Sequence, residues 1–163
     1  MTQKLNLILR CCEDDQKAQH RPHWFSKVKC LKNLQATFGS KNNVSLHAVH
    51  DGPIGPLYDL LQEYKFTINK FQGRTNESSL VETLGYASGI SSISGIHGKE
   101  EYIYFVEDDY IHIPKNGYSG LVEGFGLLKS NNSLSFLSLY DHPDRYTRTD
   151  DLDYGRTNVY VTN

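Results

Sequence analysis

Short apolar runs of strand length alternate with longer segments of helical period along most of this chain, and that alternation limits the folds open to it. Residues 5–9, Leu-Asn-Leu-Ile-Leu, open the series as a strand. Trp24, Phe25, Val28, Leu31, Leu34 and Phe38 then recur at three- and four-residue spacing. This predicts an amphipathic helix over 22–38, with Pro22 in its first turn and Gly39 at its stop. Residues 44–49 read as a second strand, 56–64 as a short helix and 66–71 as a third strand. Asn76 is the expected N-cap of a helix over 77–94, with Leu80, Val81, Leu84, Ala87 and Ile90 facing inward. Residues 101–106 are the fourth strand, 116–129 a helix and 134–139 a fifth strand. Strands that alternate with helices predict an α/β fold: a mostly parallel central sheet, right-handed crossovers and helices on both faces, Rossmann-like.

The chain has 163 residues, which suits one domain with a sizeable core. That domain is expected over 1–144. From Arg145 the composition turns polar, and 145–163 reads as a tail, the start of a truncated acceptor region. Within it, Val159-Tyr160-Val161 is strand-like and invites pairing with another chain, so a homo-oligomer is expected. The 17 basic and 19 acidic residues nearly cancel, which argues against a nucleic-acid or anionic-membrane partner. The N-terminus leads straight into the first strand, and no apolar run approaches the length of a spanning helix. Neither a signal peptide nor a membrane span is expected. Cys11, Cys12 and Cys30 match no zinc spacing and read as reduced thiols of a cytoplasmic protein. Cys11 is an unpromising nucleophile, because Glu13, Asp14 and Asp15 beside it raise a thiol pKa.

In an open α/β sheet, ligands bind outside the carboxyl ends of the strands. Those ends carry Arg10-Cys11, His50-Asp51-Gly52, Gln72-Gly73-Arg74, Glu107-Asp108-Asp109 and Asp141-His142. The fourth is the most telling. Tyr102 to Val106 is an aromatic and β-branched run that ends in three adjacent acids, whose mutual repulsion costs free energy unless a cation offsets it. Mg²⁺ or Mn²⁺ carrying a phosphate suits hard oxygen ligands in that position, and a solvated acidic turn is the plain alternative. Asp51 can accept hydrogen bonds from a base or ribose, and Gly52 lets the backbone turn close to a ligand, although Asp-Gly is also a common turn. Arg74 can neutralise a phosphate or stand as a surface charge. His142 can hold a metal, act as a base or occupy a turn. There is no Gly-x-Gly-x-x-Gly after the first strand and no phosphate loop ending in Gly-Lys-Ser/Thr, which argues against dinucleotide-binding and P-loop enzymes.

The order of these features over residues 4–130 resembles the nucleotide-sugar-dependent glycosyltransferases of the A-type fold, in particular the family-two-like group. The resemblance rests on a second strand ending in His50-Asp51-Gly52-Pro53, where that family usually has Asp-Asp-Gly-Ser. It rests also on the helix Asn76-Glu77-Ser78-Ser79-Leu80-Val81-Glu82-Thr83-Leu84-Gly85-Tyr86-Ala87, which looks like the family's Asn-rich, Gly/Ala-rich helix near the diphosphate. The third element is the strand ending in the Asp-x-Asp-type Glu107-Asp108-Asp109. The resemblance implies a nucleotide-diphospho-sugar transferase whose donor, a UDP-sugar foremost, is bound through Mn²⁺ or Mg²⁺. Asp51 would contact the base, Asp109 would ligate the metal, and Asp108 or Glu107 would reach the ribose or the metal through water. Arg74 would assist electrostatically. Asp141, His142 and Asp144 are the only further acids or bases on the next rim, and none matches a general-base motif; Asp141 is the nearest choice.

Two other readings stay open. A non-catalytic nucleotide-sugar binding module acting through a partner is one. A metal-dependent phosphohydrolase is the other, although it would require more acids or histidines on other strand ends. A nucleotidyltransferase of related fold would carry a Gly-rich basic loop after the first strand, which Arg10-Cys11-Cys12-Glu13 is not.

Overall fold

The computed structural model describes residues 4–13, 21–73, 75–93, 101–113, 116–131 and 133. The chain divides into two compact units, Met1–Tyr118 and Ser119–Asn163. The first holds strands β1 (Lys4–Cys12), β2 (Val44–Asp51), β3 (Thr67–Phe71) and β4 (Glu101–Glu107), with helices α1 (Lys27–Phe38), α2 (Pro56–Glu63) and α3 (Asn76–Ile93). In the second unit, residues 119–130 belong to helix α4 (Gly117–Ser130). The expected fifth strand, the polar tail and Val159 to Val161 lie outside the described residues.

The sheet is parallel throughout, in the order β3-β2-β1-β4, so the expected α/β architecture is present. The chain steps from β1 outward to β2 and β3, then returns through α3 to the other side of β1. Right-handed crossovers therefore put α1 and α2 on one face and α3 on the other. Packing agrees. Buried Leu5, Leu7 and Leu9 alternate with Ile8 along β1. Phe38 of α1 meets Tyr104 of β4, and Tyr58 of α2 meets His50 of β2. On the opposite face Ile8 and Val49 pack with Ala87 of α3, flanked by Ile90 and Ile103. Each fully buried Leu, Ile or Val among them contributes about 1.5–3 kcal/mol by leaving water.

Three expectations need correction. α1 begins at Lys27, not Pro22. Ser26 is its N-cap and accepts from the Lys29 amide at 3.4 Å, while residues 22–25 form a turn closed by Phe25 N donating to Pro22 O. Trp24 is consequently 56% exposed instead of inward. At α3 the cap is Thr75. The Ser78 amide donates to Thr75 Oγ1 at 3.1 Å and the Thr75 amide to Ser78 Oγ at 3.3 Å, a reciprocal box. Finally, Leu80, Val81 and Leu84 point outward, and the buried face of α3 is Ser79, Thr83 and Ala87. Those three recur at four-residue spacing, and their small side chains let the helix lie close on the sheet.

Candidate functional site

The ladder registers bring the functional rim together. Arg10 pairs across to Glu107, Cys12 to Asp51, and Asp51 to Phe71. The segment leaving β4 packs on α1, with His112 against Phe38 and bonded to Asn33, so it follows the same face as the connection leaving β1. The acid triplet lies at the carboxyl end of β4 beside Arg10 of β1, and Arg21 and Lys27 reach it from the α1 side.

Each acid has a basic partner. Arg10 pairs with Glu107, Lys27 Nζ lies 3.0 Å from Asp108 Oδ2, and Arg21 lies 2.9 Å from Asp109 Oδ2. The repulsion expected among the acids is therefore offset within the chain, three positive charges against three negative. The acids also do not stand out in water alike: Glu107 is 44% exposed, Asp109 23% and Asp108 13%. Behind them the apolar space between Leu9, Cys30, Leu31 and Leu34 has no room for a water molecule.

The pairs differ in what else they hold. Asp108 Oδ2 also accepts from the Cys12 amide at 2.9 Å, and Lys27 Nζ donates to Cys12 O at 2.9 Å and contacts Cys12 Sγ at 3.1 Å. Burial raises the Asp108 carboxyl above its ordinary value against the pull of Lys27 and the Cys12 amide. For Lys27 the balance reverses. Burial lowers its pKa, but the charge of Asp108 and the hydrogen bonds outweigh it and the ammonium is held more firmly. Arg10 donates to Asn76 O at 3.0 Å and Asn76 Oδ1 at 2.8 Å, tying the start of α3 to the rim. Asp109 is the least satisfied of the acids: its Oδ1 is buried and has no hydrogen-bond partner.

Asp51 stands at the end of β2 as expected. One of its oxygens accepts from the Gly73 amide at 3.0 Å and fixes the turn after β3. Gly52 has φ +104°, a conformation that favours glycine, and its amide donates to Phe71 O at 3.1 Å. Arg74, Asp141 and His142 lie outside the described residues. Cys11 is buried, and burial, followed by the charge of Asp108, raises its thiol well above the ordinary value; no nucleophile is made there.

The sequence reading named neither Lys27 nor Arg21 for the rim, and it gave Glu13 no part beyond its charge beside Cys11. Glu13 accepts from the Leu57 and Tyr58 amides at 3.3 and 2.7 Å, serving as the cap of α2 in place of Gly55, which has no side chain to offer. Lys27 is 15 positions from Cys12, and Glu13 is 44 and 45 from Leu57 and Tyr58. Only the abundance of charge around residues 10–27 hinted at them.

Among the described residues no group of three or more His, Cys, Asp or Glu is arranged to hold a metal ion. Mg²⁺ and Mn²⁺ need no such group when a phosphate supplies further oxygens, because one or two carboxylates then suffice. Of the carboxylates here, Glu107 is the more exposed and Asp109 has one buried oxygen without a hydrogen-bond partner, and both are already paired with arginines. No described helix is long and apolar enough to cross a membrane. Set against known families and curated proteins, the sequence matches no family model and no curated protein.

Proposed function

We propose that this chain is the donor-binding part of a metal-dependent glycosyltransferase of the A-type fold, acting on a nucleotide-diphosphate sugar, with a UDP-sugar as the first choice. The observation that carries the reading is the run of three acids at the carboxyl end of β4, where Asp109 keeps one buried oxygen without a hydrogen-bond partner and Arg10, Arg21 and Lys27 gather beside it. Asp51 lies two strands from Glu107, about 10 Å at ordinary strand spacing, so one extended nucleotide can reach both ends. Asp51 would take the base with the oxygen that Gly73 does not use. Asp109 and Glu107 would hold Mn²⁺ or Mg²⁺, whose contribution is Lewis-acid neutralisation of the departing diphosphate. Arg10 and Arg21 would take phosphate oxygens, and Asp108 would keep Lys27 and the end of β1 in place. Asp141 is the sequence's choice for the acceptor side, with Arg74 and His142 as further ligand contacts. The absence of disulfides at Cys11, Cys12 and Cys30 suits a reducing compartment such as the cytoplasm.

A second reading, nucleotide-sugar binding without turnover, is favoured by one observation: all three rim acids are engaged by protein cations, which leaves none poised as a general base. Transfer or hydrolysis of the sugar nucleotide with Mn²⁺ separates the two. The binding reading common to both is tested by thermal shift with UDP-, GDP-, CDP- and dTDP-sugars, with and without Mn²⁺. One nucleotide class stabilises the protein when Mn²⁺ is present, and Asp109→Ala removes the effect. An unchanged melting temperature with every nucleotide and metal present refutes it.

A further inference from the structure

We propose that the amino ends of the strands hold a second binding site, which takes the free amino terminus of an extended peptide by adding it to β2 as a short antiparallel strand. This site lies at the opposite end of the sheet from the acid triplet and does not depend on the donor-binding reading. β1 pairs with β2 from Val44 to Asp51, but β3 pairs with it only from His47 to Asp51. Val44, Ser45 and Leu46 are therefore an edge. The chain turns off at Lys65, and Phe66 N donates back to Leu61 O of α2 instead of extending β3. An open cleft of about 600 Å³ runs along these three residues, bounded by Gln35 of α1 and by Glu63 and Lys65 at the end of α2. That volume is in the range of small-ligand sites.

Leu5 N donates to Asn43 O on the β1 side of β2, and Gly52 N donates to Phe71 O on the β3 side. Main-chain groups alternate sides along a strand, so odd positions of β2 face β1 and even positions face β3. Val44 C=O and Leu46 N–H thus face the cleft, beyond the last rung at His47 and Thr67. Among the described residues no main-chain group pairs with either. With a peptide laid antiparallel there, Leu46 N–H donates to the C=O of its first residue, and the N–H of its third residue donates to Val44 O. Thr67 begins β3 directly beyond, so the peptide has to start at this point. Its α-ammonium then stands by the carboxyl ends of α1 and α2, which are negative poles, and neither helix has a basic residue in its last turn. Glu63 adds a carboxylate to the same wall, and Lys65 opposes it. The reverse chain direction would bring a carboxylate against both helix ends and Glu63.

The test titrates the full chain with Ala-Ala-Ala amide and Ala-Thr-Leu amide and follows the main-chain amide signals by heteronuclear NMR. The Leu46 signal is expected to move most. N-acetylation of either peptide removes the ammonium and weakens binding about tenfold, and N-methylation of the third residue weakens it about fivefold, the worth of one hydrogen bond. Glu63→Gln weakens binding about threefold. Lys65→Gly strengthens it by a similar factor, and because Lys65 has φ 59° the change keeps the turn. The proposal is overturned if neither peptide amide moves the Leu46 signal at millimolar concentration, if the acetylated peptides bind as well as the free ones, or if Lys65→Gly weakens binding.

Discussion

Lys27 Nζ sits 3.0 Å from Asp108 Oδ2, and that oxygen also accepts the Cys12 amide at 2.9 Å. The first residue of α1 is thereby clamped to the end of β4 across the end of β1. The carboxyl ends of β1 and β4 and the start of α1 are thus held in one arrangement.

Lys27→Met leaves the Asp108 carboxylate without its cation in a place 13% exposed. Breaking a buried pair in this way costs about 3–5 kcal/mol of stability. Urea unfolding at pH 7 measures the loss, and Lys27→Met combined with Asp108→Leu recovers most of it. Asp108 is already raised above 3.8 by burial, so the stability it contributes is full below that pH and is lost as pH rises through its folded value. Removing Lys27 raises it further. The single variant is therefore closest to the parent in acid and furthest from it at neutral pH. Equal stability at pH 7 would mean that the pair is no strut.

Gly55 and Glu13 make a second pair with a directional prediction. A Cβ on Gly55 would come within 2.8 Å of Glu13 Cδ and 2.9 Å of Oε2, so Gly55→Ala pushes away the carboxylate that caps α2. Glu13→Ala removes the same cap directly. Each costs about 1–2 kcal/mol, the worth of a charged cap at a helix N-terminus. In Glu13→Ala the further change Gly55→Ala adds little, because the group it would displace is gone. Additive losses in a double-mutant cycle would show that Glu13 and Gly55 act independently.

The strands and their rim were legible in the sequence because both are local. Apolar runs such as Leu5 to Leu9 declare a buried strand, and polar residues immediately after them declare its carboxyl end. The partners on that rim were not legible. Arg10 and Glu107 are 97 residues apart, and nothing in either neighbourhood names the other. The acids therefore read as an unbalanced charge that only a metal could answer. Pro22 gave an early start for α1 because a first-turn proline and a turn proline look alike until Ser26 is seen to take the cap. The facing of α3 failed for a different reason. Leu80, Val81 and Leu84 are apolar but so are positions all round the helix, and periodicity cannot orient such a segment. Small Ser79, Thr83 and Ala87 won the sheet side by permitting close approach.

His112 offers a prediction in pH. It is 8% exposed, its ring stands edge-on to Phe38 at 5.0 Å, and its Nε2 lies 3.0 Å from Tyr104 Oη. Asn33 holds its main chain from both sides, donating to His112 O at 2.9 Å and accepting from His112 N at 2.6 Å. The imidazole thus cannot swing out to water without breaking the contact between α1 and the segment after β4. Burial lowers its pKa from 6.5 to about 4, and burial likewise raises the Tyr104 phenol to about 12. A histidine lowered on folding gives stability that is fully present above pH 6.5 and is lost as pH falls from 6.5 toward 4. The loss amounts to about 3 kcal/mol. His112→Gln keeps a polar atom for Tyr104 but cannot take up the proton. Across a series of urea unfolding curves, the stability gap between parent and variant narrows by about that amount from pH 7 to pH 4, since carboxylates titrating in the same window are common to both. A gap that stays constant would mean the His112 ring gains its proton in the folded chain as easily as in the unfolded one, and that α1 does not seal it from water.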